Sequence, residues 1–508
     1  MHDTFKTLFV SSLLVLGAAC SGGVHEVSSS SGGGGSPPSS SSASSSSSGG
    51  GGSPPSSSSA SSSSTGGAAT CAPLPPSQGN GAFTAAWAAA FGDGTSSGEG
   101  SAIAVDASGN VTLVGDVDGP VDLGSGVSLF SHGRFFAKFD PEGHPLWARA
   151  PTVLPARVAA DAQGSLWTTT TPEVSGVPHS IAKLGPDGEE LWSKSLPGEV
   201  SALSPTGDGG VVLIAPFYGS ITYGGASFSA KGDTPSSDVL VLALDASGAV
   251  AWSTTIAAPL APPPPRGSMF LSAPDVAAMP SGGALVQAVV ERLAVQPLEV
   301  THERVVQRLG PSGEVLWART FPAQRHSPAI RLVAAPDDGA LMVADAGIGG
   351  STDLGCYVHP GPGLLLQALD ASGQPRWERS ILGVMGSTRP SFDAAGNLVL
   401  VGVAQGWIDL GGGNIEGNAA AWRIFVARYA PDGAHLASRT YEGTPPPDAG
   451  WLHRGESRAQ GSAVDPSGNV LLTGFYSGAL DLGAGALPDV PILEGPYMTR
   501  GFVAKLAP

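Results

Sequence analysis

The chain has 508 residues, 73 of them Gly and 44 Pro, and 13% are charged, where an ordinary soluble domain carries roughly 25%. Gly and Pro recurring every few residues exclude long helices and therefore a helical bundle. A net charge of −17 excludes the electrostatic footprint of a nucleic-acid binder and sets the body against anionic lipid surfaces.

Residues 1–20 read as a targeting signal. Lys6 precedes an apolar run from Leu8 to Leu16, broken by Ser11-Ser12 and too short to span a bilayer. The following Gly17-Ala18-Ala19-Cys20 resembles the lipobox of bacterial lipoproteins, although Gly17 stands where that motif usually has Leu. The resemblance implies that Cys20 is diacylated on sulfur and becomes the mature N-terminus; an ordinary secretory signal with an incidental Cys20 is the alternative. Ser21 in place of the Asp that often retains lipoproteins at the inner membrane points to the outer membrane or cell surface.

Residues 21–80 read as a tether. Within them, two near-identical copies of Gly-Gly-Gly-Gly-Ser-Pro-Pro followed by Ser-rich segments lack the apolar side chains needed to offset conformational entropy. The r.m.s. reach of such a coil is roughly 40 Å. Apart from Cys20, the cysteines are Cys71 and Cys356. In an oxidising compartment they could form one disulfide or remain two free thiols.

Residues 81–508 read as one all-β domain of seven repeats. One marker is a hairpin with an apolar strand, a turn ending in Gly, and a strand bearing Trp near its start. It occurs before Trp147, Trp192, Trp252, Trp317 and Trp377, with Ala437 in the Trp position of a sixth copy. A second hairpin turn recurs seven times, at Asp106–Gly109, Asp161–Gly164, Thr206–Gly209, Pro280–Gly283, Pro336–Gly339, Asp393–Gly396 and Asp465–Gly468. Asp or Pro early and Gly last suit a type I turn whose final residue takes positive φ. Two hairpins make a four-stranded propeller blade.

The two ends of the domain predict how a seven-bladed ring would close. The segment Gly501–Pro508 has the pattern of a third strand without its partner. Phe83–Phe91 has the pattern of a fourth strand without its first three. Pairing the two would complete the seventh blade and leave no exposed edge between first and last blades. The marker tryptophans, at one position in successive blades, are expected to pack between blades rather than bind a ligand. Trp167, Trp407 and Trp451 fall outside the pattern.

Three motifs recur in the repeats: Asp-x-x-Gly-Asn-Val, then Asp-Leu-Gly (Asp122–Gly124, Asp353–Gly355, Asp409–Gly411, Asp481–Gly483), then Phe-Val-Ala-Lys-Leu. They resemble the SBBP-type β-propeller repeats of bacterial cell-surface lipoproteins. That resemblance implies a fold and a location, and no reaction. The hairpin Ala243–Trp252 is also similar to the tryptophan-docking motif of quinoprotein propellers and of the propeller lipoprotein in outer-membrane assembly. Those have eight units, and the quinoproteins usually have vicinal cysteines; this chain has seven units and no adjacent Cys pair.

No catalytic constellation emerges. The Asp-x-Ser-Gly-Asn turns lack the spaced oxygen ligands of a calcium loop, the histidines lack zinc spacing, and there is no nucleophile elbow. The expected function is a noncatalytic binding or scaffold module with no metal or cofactor. It would be lipid-anchored and monomeric, and its partner a protein or polysaccharide of the cell envelope. The alternatives are an outer-membrane assembly scaffold or a propeller enzyme, either a quinoprotein dehydrogenase or a glycan-active one. Loops between blades are where such a scaffold would bind. The irregular stretch Glu442–Gln460, with Trp451, His453 and Arg454, is the candidate binding loop.

Overall fold

The structure is a computed structural model. It describes residues 74–77, 83–92, 97–151, 155–170, 179–196, 198–223, 225–230, 236–256, 267–295, 298–323, 330–345, 352–354, 358–359, 363–445, 455–490 and 498–508. Among these residues the chain is all-β, with no helix. The signal segment, Cys20, Cys71, Cys356, Trp451, His453 and Arg454 lie outside the described residues.

The basic unit is an antiparallel meander of four strands, a to d. In the first repeat these are Gly98–Val105, Val111–Asp122, Ser128–Phe139 and Pro145–Arg149. The second, third and fourth repeats form sheets of the same order, starting from a strands Pro155–Ala160, Ala202–Pro205 and Gly267–Ala278. In the last sheet Ser457–Val464, Val470–Tyr476 and Arg500–Ala507 are joined by Thr84–Phe91 as the fourth strand. The register runs from Thr84 opposite Ala507 to Phe91 opposite Gly501.

The fifth and sixth repeats correct the expectation of separate four-stranded sheets. Pro375–Phe392 is one 18-residue strand that serves as d strand of the fifth repeat and a strand of the sixth, merging both into one sheet. Gly383, at φ +140°, and Gly386 stand between the two roles, yet the strand is not broken there. Instead, register shifts at Gly383/Val384 and Met385/Thr388 bend it, as bulges do.

The hairpin turns form for the expected local reason. At the first, Asp106 N–H donates to the Asn110 carbonyl (3.0 Å) and Gly109 N–H to the Asp106 carbonyl (2.9 Å). Gly109 takes φ +83°, a conformation that only Gly adopts freely. The turn at 336–339 corrects the pattern: positive φ falls on Asp338 (+60°) and not on Gly339. Asp338 has an anchor there, because its carboxylate accepts the Ser281 N–H of the preceding repeat at 2.9 Å.

The core lies between neighbouring sheets. Phe91 and Val503 of the last sheet pack with Leu113 and Phe135 of the first, and Val241 of the third repeat packs with Val286 of the fourth. Burying each such side chain contributes about 1.5–3 kcal/mol. The marker tryptophans add a regular clasp. Indole N–H groups of Trp87, Trp192, Trp317 and Trp377 donate to carbonyls of Pro141, Ala246, Ala371 and Pro431 in the next repeat, at 2.9–3.1 Å. The recurring Lys is a second clasp. Lys183 pairs with Asp161 of its own sheet at 3.2 Å and donates to the Gly209 carbonyl of the next at 2.7 Å.

The packed body reaches upstream of residue 81. Leu74 packs into the core of the fifth and sixth repeats, and Ser77 Oγ lies 2.9 Å from His435 Nδ1.

Candidate functional site

Strand order determines which end of the sheets carries which loops. In an up-down meander the a–b and c–d hairpins share one side, and the b–c connections emerge on the other. The hairpins are short and regular. The b–c connections are the long ones, including the extra hairpin Ser220–Tyr223 with Ala226–Ser229 in the third repeat. The exposed aromatics Phe130, Tyr218 and Trp407 lie at the ends of b and c strands that lead into them. Asp-Leu-Gly lies in them as well. Asp409 Oδ1 accepts the Gly411 N–H at 2.8 Å while Leu410 is fully buried, and Asp481 with Gly483 does the same around Leu482. This motif therefore folds a connection back onto the core.

The a strands contact one another from each repeat to the next, the seventh touching the first. Those of the first, second, third, sixth and seventh repeats line one cavity of about 580 Å³. Its walls are mostly small or apolar, among them Ile103, Val158, Leu203, Phe392 and Val464, with Ser204, Ser391 and Ser462 interspersed.

Four ionisable residues of the a strands share one register. Arg157, Asp275, Arg331 and Arg389 stand opposite Thr169, Gln287, Val343 and Val401 of their b strands. Arg157 and Arg389 are four residues before their a–b turns at Asp161 and Asp393, and Asp275 and Arg331 five before theirs at Pro280 and Pro336. A register shift lies immediately before Arg157 and Asp275, and just ahead of Arg389 at Thr388; bulges of this kind re-aim side chains. Arg157 of the second repeat and Arg331 of the fifth are both within electrostatic reach of Asp275 in the fourth.

Burial raises the Asp275 carboxyl above the ordinary value, partly offset by N–H groups of Leu332 and Val276 and by the two arginines. Its Oδ2 accepts the Leu332 N–H at 2.9 Å. Burial, with the like charge of Arg331, lowers Arg389 to about 10. The Arg389 guanidinium donates to the carbonyls of Gln460 (2.8 Å) and Thr388 (3.0 Å). Among the described residues, neither Arg157 nor Arg331 has a carboxylate within ion-pair distance.

The residues singled out in the sequence fall elsewhere. Cys20, Cys71, Cys356, Trp451, His453 and Arg454 are outside the described residues. Trp167 is fully buried, edge-on to Trp192 at 5.3 Å with Lys183 over its ring. Trp407 is 48% exposed. The aspartates of the Asp-x-Ser-Gly-Asn turns are engaged within their own hairpins: Asp106 Oδ1 accepts the N–H groups of Ser108 and Asn110, and Oδ2 the Asn110 amide. Reasoning from sequence missed the arginines.

No family model and no curated protein matches the chain. Among solved structures, it is similar to a catalytically inactive virginiamycin B lyase from Staphylococcus aureus with quinupristin, at 11% identity over 82% of this chain and 99% of that one, with a TM-score of 0.37. It is also similar to the polysaccharide lyase Uly1, at 8% identity over 80% and 90%, TM-score 0.38. A third is BBS1N in complex with ARL6DN, at 9% identity over 84% and 97%, TM-score 0.37. At such scores none of these likenesses bears on what the chain does.

Proposed function

We propose that the seven repeats form a closed seven-bladed propeller acting as a noncatalytic binding module, held at the bacterial outer membrane or cell surface by lipid on Cys20 and the Ser/Gly/Pro tether. Its partner is a protein or polysaccharide of the cell envelope, and it belongs with the SBBP-type repeat lipoproteins. The observation that carries this reading is the convergence of a strands from five repeats on one cavity, at the end of the sheets that carries the a–b hairpin turns. Ring closure is supported by the pairing of Thr84–Phe91 with Arg500–Ala507. Contact between the first and seventh a strands adds to it.

Two measurements test the reading. Cys20→Ala is expected to move the protein from the membrane fraction to the soluble one, and an unchanged distribution would remove the anchor. The full-length protein, immobilised and offered envelope polysaccharides and detergent-solubilised envelope proteins separately, is expected to retain one component saturably and unaltered. Depolymerisation of a retained polysaccharide would make it a glycan-active enzyme. The assembly-scaffold reading draws on the repeated Trp-to-turn docking. It requires that outer-membrane β-barrel proteins be the component retained.

A further inference from the structure

We propose that a cavity between the fifth and sixth repeats binds a small organic ammonium ion, a primary amine on an aliphatic stem. The proposal depends on neither the lipid anchor nor ring closure.

The other repeats define what this place ordinarily holds. Each a–b hairpin is closed by a residue whose N–H donates to the carbonyl four positions on. In the first, second and seventh repeats that residue is Asp, and the c-strand residue paired with the second residue of the b strand is Lys. The two form an ion pair: Asp106 with Lys138 at 3.4 Å, Asp161 with Lys183 at 3.2 Å, Asp465 with Lys505 at 2.8 Å. Each ammonium also donates to a turn carbonyl of the adjacent repeat, that of Pro186 at 3.1 Å, Gly209 at 2.7 Å and Pro141 at 3.3 Å respectively. Of the seven repeats the fifth alone has Ala at both positions, Ala335 and Ala368.

The double replacement coincides with the cavity. Both alanines are in its wall, and Trp377, Phe392, Leu369 and Pro336 make it largely apolar. Its volume of about 250 Å³ exceeds the roughly 150 Å³ apolar cavity that takes up one benzene. A Cβ added at Gly164 or Gly209 would meet the ammonium of the preceding repeat at 3.3 or 3.5 Å, whereas at the equivalent Gly396 it would meet only Pro431 Cγ, at 3.6 Å.

The acceptors are retained. Pro431 and Gly396 of the sixth repeat, counterparts of Pro141 and Gly209, both line the cavity. The Pro141 carbonyl accepts two bonds, from the Trp87 indole and from Lys505. The Pro431 carbonyl accepts the Trp377 indole at 2.9 Å, and Ala368 supplies no ammonium for the second. Arg376 also lines the cavity but pairs with Asp337 of its own repeat, so its charge is offset there. An ammonium brings three donors to these carbonyls, and its aliphatic stem takes the place of the lysine methylenes against the apolar wall. A carboxylate would meet carbonyl oxygens instead, and an inorganic cation would leave the wall unused.

Calorimetric titration of the full-length protein with hexylammonium, 1-hexanol and hexanoate tests the site. Hexylammonium is expected to bind saturably, roughly tenfold or more tightly than either isostere, as a hydrogen bond from a charged group implies. Combining Ala335→Asp with Ala368→Lys rebuilds the pair of the other repeats. It is expected to raise the melting temperature and to abolish hexylammonium binding. Should that variant fail to fold, Ala368→Met fills the same space and is expected to abolish binding as well. Nα-acetyl-lysine N-methylamide carries the same head on a peptide backbone and is expected to bind more weakly than hexylammonium. Equal or tighter binding would give the cavity to a lysine of a protein partner and overturn the small-ligand assignment. No binding of hexylammonium, equal binding of 1-hexanol or hexanoate, or affinity unmoved by the filled variants would overturn the site itself. Retention of an envelope component would then still stand.

Discussion

Trp377 of the fifth repeat donates its indole N–H to the Pro431 carbonyl of the sixth at 2.9 Å, with its ring lying directly under Gly433. A Cβ on Gly433 would come within 2.7 Å of that ring, and the residue has φ +83°. The Gly that ends the turn is thus required twice, by its own backbone and by its neighbour's Trp. Trp377→Ala is expected to cost about 3–5 kcal/mol, in line with truncation of a buried Trp. Gly433→Ala is expected to cost more than about 1 kcal/mol. Urea unfolding followed by near-UV circular dichroism reads both, and wild-type stability in either variant would mean that the clasp is not what holds these repeats together.

The absent Trp at Ala437 has a matching cause. The strand Thr84–Phe91 is not joined to Arg500–Ala507 by a hairpin, so the seventh sheet has no c–d turn for a Trp to dock on. Arg439 and Tyr441 of the same d strand instead both donate to the Phe83 carbonyl, at 2.8 and 2.7 Å. Deleting residues 81–91, or the last eight residues, is expected to lower the melting temperature sharply. Tyr441→Phe should cost about 1 kcal/mol, the net value of one hydrogen bond. A deletion with an unchanged melting transition would contradict ring closure.

Acid sensitivity is expected from Asp465. Burial opposes its ionisation, but Lys505 at 2.8 Å and the amides of Asn469 win, so its pKa is lowered. A depressed carboxylate stabilises the fold above its unfolded pKa, and that stabilisation is lost as pH falls through the folded value. Asp465→Ala should therefore cost about 1–3 kcal/mol at neutral pH, and the gap should close on acidification below about 3.9. A gap independent of pH would assign the loss to the turn alone.

Asp275 predicts the opposite sign. Its pKa is raised, chiefly by burial, so its contribution is fully present below the unfolded pKa and is lost as pH rises through the folded one. Asp275→Asn is expected to melt above wild type at pH 7 and to converge with it under acid conditions. A variant that melts lower at pH 7 would mean that the arginines need the carboxylate for stability.

The sequence by itself determined the hairpins, their turns and the seven-fold repetition. Each is decided within about a dozen residues, by strand alternation and by a Gly that must take positive φ. The packing of the tryptophans against the next repeat was legible too, because a residue at one position in successive repeats meets one environment in each. The merger of two repeats through Pro375–Phe392 was not legible, since Gly383 and Gly386 at the junction read locally as a break between strands. Nor was the shared register of Arg157, Asp275, Arg331 and Arg389. Each looks like an ordinary strand residue, and its level in the sheet exists only once its strand is paired. Turn chemistry is local and survives in the sequence; register between strands belongs to the tertiary structure alone.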